Sequence, residues 1–477
     1  MAAVFPSPES DPSDLSLDLD AFAATLSGTL IRPDSPDYDQ TRRINSTLAD
    51  RHPVVIVRAA DAADVARTVV FAAETGLELA VRAGGHSVPG YSATDGIMLD
   101  LSAMKGLHID PDRRLAWAQP GLTAMEYTTA AAAHGLATPF GDTGSVGIAG
   151  LTLGGGIGWL VRKYGLTIDN LVSVEVVTAD GRIVTASEDR HPDLFWAIRG
   201  GGGNFGVVTR FQFRLVPVGM TLSGALFLPL TRDVLRGLIP VAASAPEELS
   251  MITFVMGATP PMPFVSEEHR FKPSVAVMFV YAGDDIAAGQ AAIAPFRALA
   301  TPLAEAVFPM PYPGIYDFTA EGGKPHPAVL RSLFADALDD EAVDEIVARM
   351  SAPSSPFAMT QIRALGGAMA RVPADATAFG HRDANVMVTL VTVFQDPAEF
   401  PIHEAWTKEY FAALTPKSTG VYSNFLAREG DARIREAYPA GTYERLAEIK
   451  RRYDPQNLFR MNQNIKPAAA GSGSEVA

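Results

Sequence analysis

Cysteine is absent from all 477 residues. That excludes disulfides, thiolate metal sites, cysteine nucleophiles and any cofactor bond through sulfur. Histidine is sparse as well. Its nine copies stand singly, with no pair at metal-ligand spacing, so no metal site is expected. No basic run occurs and the formal net charge is −15, so a nucleic acid partner is not expected. No apolar run reaches the length that spans a bilayer. The first basic residue is Arg32 and no signal-like apolar stretch follows it, which makes a soluble, cytoplasmic protein with no membrane partner the expectation. Oligomeric state has no signature in these patterns.

What the chain does have is apolar content, 47% of residues, enough for two or three packed cores. Residues 1–44, rich in Ser, Pro, Asp and Ala, read as a loosely held arm leading into a short helix. The β-branched run Pro53–Arg58 reads as a buried strand. Asp61 then caps a helix over Ala62–Thr75, Gly76 ends it, and Leu77–Arg82 returns as a strand, a βαβ pattern. Further strands are expected at Ile97–Leu101, Leu115–Ala118 and Val207–Leu215. A helix is expected over Thr123–His134, a hairpin over Leu171–Ala186 turning at Ala179-Asp180-Gly181, and a short helix at Asp193–Ile198. Pro217 breaks the pattern, and a domain boundary is placed there.

The second region, 218–430, alternates strand runs (Thr221–Phe227, Met251–Met256, Ser274–Tyr281, Phe357–Leu365, Asn385–Phe394) with helical stretches (Ile286–Leu299, Ala342–Met350, Ile402–Leu414). That arrangement predicts an α+β domain with one broad antiparallel sheet. A charged amphipathic helix over Tyr443–Tyr453 precedes a closing segment to 467, and the small polar stretch 468–477 reads as a disordered tail.

Three glycine clusters fall in the first half: Gly84-Gly85, Gly141 through Gly158, and Gly200 through Gly206. The last contains a formal G-x-G-x-x-G at Gly201, Gly203 and Gly206. A dinucleotide fingerprint must follow a strand and open a helix. Here the glycines follow a short helix and open a strand, so that reading is rejected. What remains is close backbone approach, to a ligand or to another segment of chain, with tight turns as the plain alternative.

The segments V-R-A-G-G-H-S-V-P-G-Y-S (81–92), G-D-T-G-S-V-G-I-A-G-L-T-L-G-G-G-I-G (141–158), D-L-F-W-A-I-R-G-G-G-G-N-F-G-V-V-T (193–209) and Y-D-P-Q-N-L-F-R-M-N-Q-N-I-K-P (453–467) resemble, in matching order, the berberine-bridge-enzyme-like family of flavoprotein oxidases. The resemblance implies an α+β fold of the vanillyl-alcohol-oxidase type. Residues 45–217 and 431–467 would form the FAD domain, and 218–430 a substrate domain roofing the flavin ring. It further implies that the pyrophosphate lies along Arg82, Ala83, Gly84, Gly85 and Ser87, where small residues leave amides bare. The stretch carrying Gly141, Thr143, Gly144, Ser145, Gly147, Gly150, Gly154 and Gly155 would run by the isoalloxazine. Val207 and Val208 would approach the adenine side, and Asn462 and Asn464 the flavin and substrate.

His86 falls on the family's histidine that bonds the flavin 8α-methyl carbon; a loop histidine hydrogen-bonded to phosphate is the plainer reading. Many relatives add a second flavin bond from a cysteine. That position is Thr143 here, so only a single link is open, as in singly linked relatives such as the 6-hydroxynicotine oxidases. Plant relatives place a tyrosine base at the position of Phe425, which cannot take a proton. Tyr422 is the nearest phenol, either a base or an ordinary strand aromatic, and Asn424 is a candidate orienting group. Gln361 and Arg363 share one face of their strand and either line the substrate pocket or form a solvent-facing stripe. Val146 falls where the family's oxidases carry valine and its dehydrogenases leucine, although a valine packed under the ring reads the same way. The implied activity is an oxidase that moves a hydride from an alcohol, amine or natural-product substrate to flavin N5 and then reduces O2 to hydrogen peroxide. A dehydrogenase with another acceptor, or a flavin-binding protein without turnover, stands beside it.

Overall fold

Val55–Arg58 and Leu79–Arg82 flank the helix Ala62–Thr75 as their patterns require. Asp61 caps the helix by accepting the Asp64 N–H at 2.9 Å, and Gly76 ends it in the left-handed region at φ 70°. In the computed structural model, which describes residues 18–439 and 441–469, these two strands are parallel without being neighbours. Ile97–Asp100 lies between them and pairs in parallel with both. Thr29–Ile31 adds an antiparallel edge, Leu30 opposite Val57, and Phe22 stacks on Phe71 at 4.0 Å. The described part of the expected arm is therefore tied to the first sheet: Phe22, Ile31, Tyr38 and Ile44 are buried in the cores on its two faces. Residues 1–17, and 470–477 of the expected tail, lie outside the described residues.

A second, five-stranded antiparallel sheet runs Leu107–Asp110, Leu115–Ala118, Val207–Arg214, Leu171–Val177, Ile183–Ser187. Gly201, Gly203 and Gly206 follow the helix Pro192–Ile198 and lead into the strand Val207–Arg214, the context read from the sequence. The broad antiparallel sheet of the middle region has seven strands. In spatial order they are Ala304–Pro311, Met220–Pro229, Ser274–Tyr281, Leu249–Met256, Phe357–Ala364, Val386–Val393 and Ala328–Ala335.

The two edge strands of that sheet and the helix Arg232–Ser244 escaped the sequence pattern. Pro309 and Pro311 are tolerated because Ala304–Pro311 is an edge, Ala328–Ala335 is buried on both faces and so does not alternate, and the helix contains Pro240. One face of the sheet packs on helices Arg232–Ser244, Ile286–Arg297, Asp340–Ser351 and Phe400–Leu414 through Leu222, Val277, Phe279 and Leu390. Alternate residues turn the other way. Ala225, Met278 and Ile252 join one core with Phe211 and Phe213 of the five-stranded sheet, so the two halves share apolar packing. Each fully buried phenylalanine there contributes roughly 1.5–3 kcal/mol of transfer free energy.

The C-terminal segment folds back onto the first half. Lys450 and Asp454, both fully buried, pair at 2.5 Å. The Lys450 ammonium also donates to the carbonyls of Asn204 (2.7 Å) and Phe459 (2.9 Å). Asp454 accepts the amides of Leu458 and Phe459, and the Asn204 side chain accepts from the Ile465 amide and donates to the Gln463 carbonyl. Burying two charges is tolerable only when their remaining donors and acceptors are met in this way.

Candidate active site

Two glycine loops meet backbone to backbone. The strand Leu79–Arg82 runs into the loop 83–87, and a Cβ built on Gly84 would lie 2.3 Å from the Gly147 nitrogen. A Cβ on Gly147 would lie 2.5 Å from the Gly84 nitrogen. Only glycine fits at either place. The second loop is pinned in turn to the start of the helix Ala124–Ala132: the amides of Ala124 and Met125 donate to the carbonyls of Val146 (2.9 Å) and Gly144 (2.8 Å). Gly85 takes φ +70°, and its carbonyl accepts the Asn45 amide at 2.9 Å. Arg82 donates to the Thr41 carbonyl at 2.6 Å, while its buried Nε has no partner. The Ser87 hydroxyl accepts the Tyr91 amide at 3.0 Å and holds the loop's exit.

His86, next in that loop, is half-buried. Burial, with a smaller contribution from His326, pushes its imidazole below the usual value. The ring is therefore neutral at pH 7, with a free lone pair on one nitrogen. His326 reaches this neighbourhood because its strand-like stretch bridges Ser46, one residue from Asn45.

The glycines of 141–158 divide into two groups. Gly150, on the one-and-a-half-turn helix Ile148–Leu153, is exposed and a Cβ there would meet no atom within 4 Å. Gly154 and Gly155 instead accommodate side chains: a Cβ on the first would strike Asn424 at 2.2 Å and on the second Phe379 at 2.9 Å. Asn424 donates to the Leu151 carbonyl (3.0 Å) and to the Tyr422 hydroxyl (2.9 Å), which also accepts the Gly156 amide (2.9 Å). Tyr422 is buried, and desolvation raises its phenol above 10 instead of lowering it toward base duty.

Asp142, between Gly141 and Thr143, is a junction that sequence reasoning passed over. Its carboxylate accepts from Thr143 (3.1 Å) and from Arg363, and its carbonyl accepts from Trp159 (3.1 Å) and Thr319 (2.8 Å). Arg363, 4% exposed, thus points from the roof sheet down at the glycine loop, with its guanidinium 5.4 Å from the Phe425 ring centre. Gln361, on the same face, is half-buried. At Arg363 the face is turned to the first half of the chain and is not a solvent stripe. A signal existed: Asp142 is the one charge inside an otherwise uncharged 18-residue glycine-rich stretch.

Asn462 and Asn464 bring side-chain oxygens that are buried and unpartnered, with Asn462 donating to the Phe459 carbonyl at 3.1 Å. Val207 and Val208 are buried opposite Val177 and Val176, one in the first-sheet core and one in the shared core. Thr143 is half-buried, and the exposed Ser145 lies against Gly323 of the segment Tyr312–Gly323. The fit to a flavin dinucleotide rests on these features: an interlocked pair of side-chain-free loops, an open glycine, orphaned buried Arg82 Nε and asparagine oxygens, and a neutral imidazole at the loop end. The donor set suits an anionic pyrophosphate beside a polar heterocycle.

Known proteins resemble this chain in sequence and fold. Residues 53–187 match the family model of an FAD binding domain, and residues 421–466 match the model described as berberine and berberine like. The chain is 32% identical over 478 residues to the (R)-6-hydroxynicotine oxidase of Paenarthrobacter nicotinovorans, covering 94% of this chain and 98% of that one. The crystal structure of 6-hydroxy-D-nicotine oxidase from Arthrobacter nicotinovorans superposes with a TM-score of 0.82 at 30% identity, covering 93% of this chain and 98% of that one. Wild-type berberine-bridge-enzyme-like protein 1 of Physcomitrella patens gives a TM-score of 0.85 at 22% identity, over 95% and 100% of the two chains, a likeness of fold. Among the described residues no helix is long and apolar enough to cross a membrane.

Proposed function

This chain belongs to the berberine-bridge-like family of FAD-linked oxidoreductases, and on that premise we propose that it is an oxidase of a small organic substrate that holds FAD through one bond from His86. The observation that carries the reading is the neutral, half-buried His86 at the end of a loop locked against Gly147. A neutral nitrogen lone pair is what attachment at the 8α-methyl carbon requires, and the lack of cysteine limits the link to one. The chemistry that FAD supplies when bound is acceptance of two electrons from a substrate C–H bond and their delivery to dioxygen, giving hydrogen peroxide.

The chain's own residues bind, orient and exclude water. Arg82, Ala83, Gly84, Gly85 and Ser87 present amides and one guanidinium to the pyrophosphate. Asn462 and Asn464 offer their unpartnered oxygens, and Val207 and Val208 form an apolar wall on the adenine side. Gly141, Thr143, Gly144, Ser145, Gly147 and Gly150 form the bed beside the ring, while Gly154 and Gly155 let Asn424 and Phe379 approach from the substrate side. With its phenol raised and already accepting two hydrogen bonds, Tyr422 orients Asn424 and the Gly156 turn and stays protonated at neutral pH. Phe425 accepts no proton. An amine that binds neutral needs no strong base, which suits this pocket.

Half-buried Val146 lies in the pinned loop; a valine there would leave oxygen room at the ring that leucine would fill, because one added methylene is felt in a close-packed site. Stopped-flow reoxidation tests the reading. Val146→Leu should slow reaction with oxygen strongly and leave anaerobic reduction nearly unchanged. If the wild type reoxidises as slowly as the variant, the dehydrogenase reading replaces this one.

A further inference from the structure

The roof over the site changes chemical character along a single row of side chains. From that gradient, and resting on the oxidase reading above, we infer the substrate class: a neutral molecule with a flat apolar body and one hydrogen-bonding end. Across neighbouring strands the row runs Phe227, Ala276, Phe254, Gln361, Thr389, Ser332. Its first three members are apolar and its last three are polar without charge.

The row deeper along the same strands closes against the FAD half. Ile252, Met387 and Arg363 there are buried, and Arg363 is paired with Asp142. One row outward the cover opens only at its middle, since Phe227 and Ala276 on one side and Thr389 and Ser332 on the other stay buried. Phe254 and Gln361 are half-buried, as are Met256 and Met359 beyond them, although all four sit on the central strands of a seven-stranded sheet. The opening thus lies away from the edge strands, toward the strand ends at Met256 and Phe357, and a molecule placed there lies against Phe254 on one side and Gln361 on the other.

The Gln361 amide is lightly committed. It donates to the weak acceptor Sδ of Met359 at 3.7 Å, and no stronger partner engages it among the described residues. It can both donate to and accept from a ligand group. On the other side the apolar surface continues from Phe227 to Phe264 (5.8 Å between ring centres) and from Phe264 to Phe318 (6.5 Å). Such rings favour a flat apolar partner. A sugar carries hydroxyls around its whole rim, and those against this wall would be buried without partners. An anion finds no free cation on either row, because the charge of Arg363 is spent on Asp142.

The test titrates the holoenzyme by calorimetry with 4-methylphenol, toluene, 4-methylbenzoate and cellobiose. Binding of 4-methylphenol should exceed that of the benzoate and of cellobiose by about ten-fold or more. Gln361→Leu should weaken 4-methylphenol about ten-fold, the worth of one hydrogen bond, and leave toluene unchanged; Phe254→Ala should weaken both. Asp142→Asn should strengthen the benzoate by releasing Arg363. Cellobiose or the benzoate binding wild type as tightly as 4-methylphenol, no binding of 4-methylphenol, or a Gln361→Leu protein with unaltered selectivity would overturn the inference. Binding is read without turnover, so slow reoxidation in air refutes the oxidase reading and leaves this result to stand by itself.

Discussion

Gly150→Ala and Gly84→Ala should move the protein in opposite directions, because one glycine faces open space and the other a wall of backbone. A methyl group at Gly150 meets no protein atom within 4 Å and sits in the helix Ile148–Leu153. Replacing glycine by alanine in a helix stabilises it by roughly 0.5–1 kcal/mol. The apoprotein should therefore melt at the same temperature or slightly higher, while the methyl intrudes on the bed proposed for FAD and flavin retention falls. At Gly84 the methyl lies 2.3 Å from the Gly147 nitrogen and 2.5 Å from its Cα, and neither atom belongs to a side chain that could rotate away. Ordinary contacts are about 3.5–4.0 Å, so the loops must part by more than 1 Å, roughly, and overpacking of that kind costs about 1–3 kcal/mol. Gly84→Ala should lower both the apoprotein melting temperature and the flavin content. The assay is melting of flavin-free protein alongside FAD per chain after gel filtration. A Gly150→Ala protein with a full complement of FAD would refute the reasoning, since the open side of that glycine would then face solvent alone.

Other outcomes follow from the same geometry. With its folded value depressed by burial and by His326, His86 stays neutral below 6.5, and that condition is lost only as pH falls through the lower folded value. Covalent FAD incorporation into apoprotein should accordingly hold steady down to 6.5 and decline only below it; an inflection at or above 6.5 in a time course of bound flavin fluorescence would contradict this. Lys450→Met strands Asp454 in a fully buried site, and breaking such a pair costs about 3–5 kcal/mol. The urea midpoint should drop, and hydrogen exchange should rise first in 454–467; an unchanged midpoint would show the pair to be incidental. A chain ending at Arg452 lacks Asn462, Asn464 and the Gln463 and Ile465 backbone groups that hold the Asn204 side chain, so it should purify without FAD, which absorbance at the flavin bands checks directly.

The glycine loops were legible in the sequence because close approach leaves only one residue type possible, as at Gly84 and Gly147. The strands of the roof were legible where an apolar, β-branched run was continuous, as at Ser274–Tyr281, and illegible where prolines broke the run, as at Ala304–Pro311, or where Arg331 and Ser332 interrupt a strand buried on both faces, as at Ala328–Ala335. The helix 62–75 followed from its one apolar face, Val65, Val69 and Ala72, and its caps from Asp61 and Gly76. Strand order did not: nothing local says that Ile97–Asp100 inserts between the two strands of the βαβ pattern. The same holds for Asp142 and Arg363, which are 221 residues apart and meet only because the sheet folds over the loop. The need for glycine at Gly154 and Gly155 also depended on the fold, since the side chains they admit, Asn424 and Phe379, come from more than 200 residues further along the chain.

The central claim is a single covalent bond between His86 and FAD, and peptide mass analysis of acid-precipitated protein tests it most directly. The account predicts that wild-type pellets stay yellow, that one peptide containing His86 carries the mass of FAD, and that His86→Ala releases all its flavin to the supernatant. Flavin that remains with the His86→Ala pellet, or a flavinylated peptide lacking His86, would contradict it.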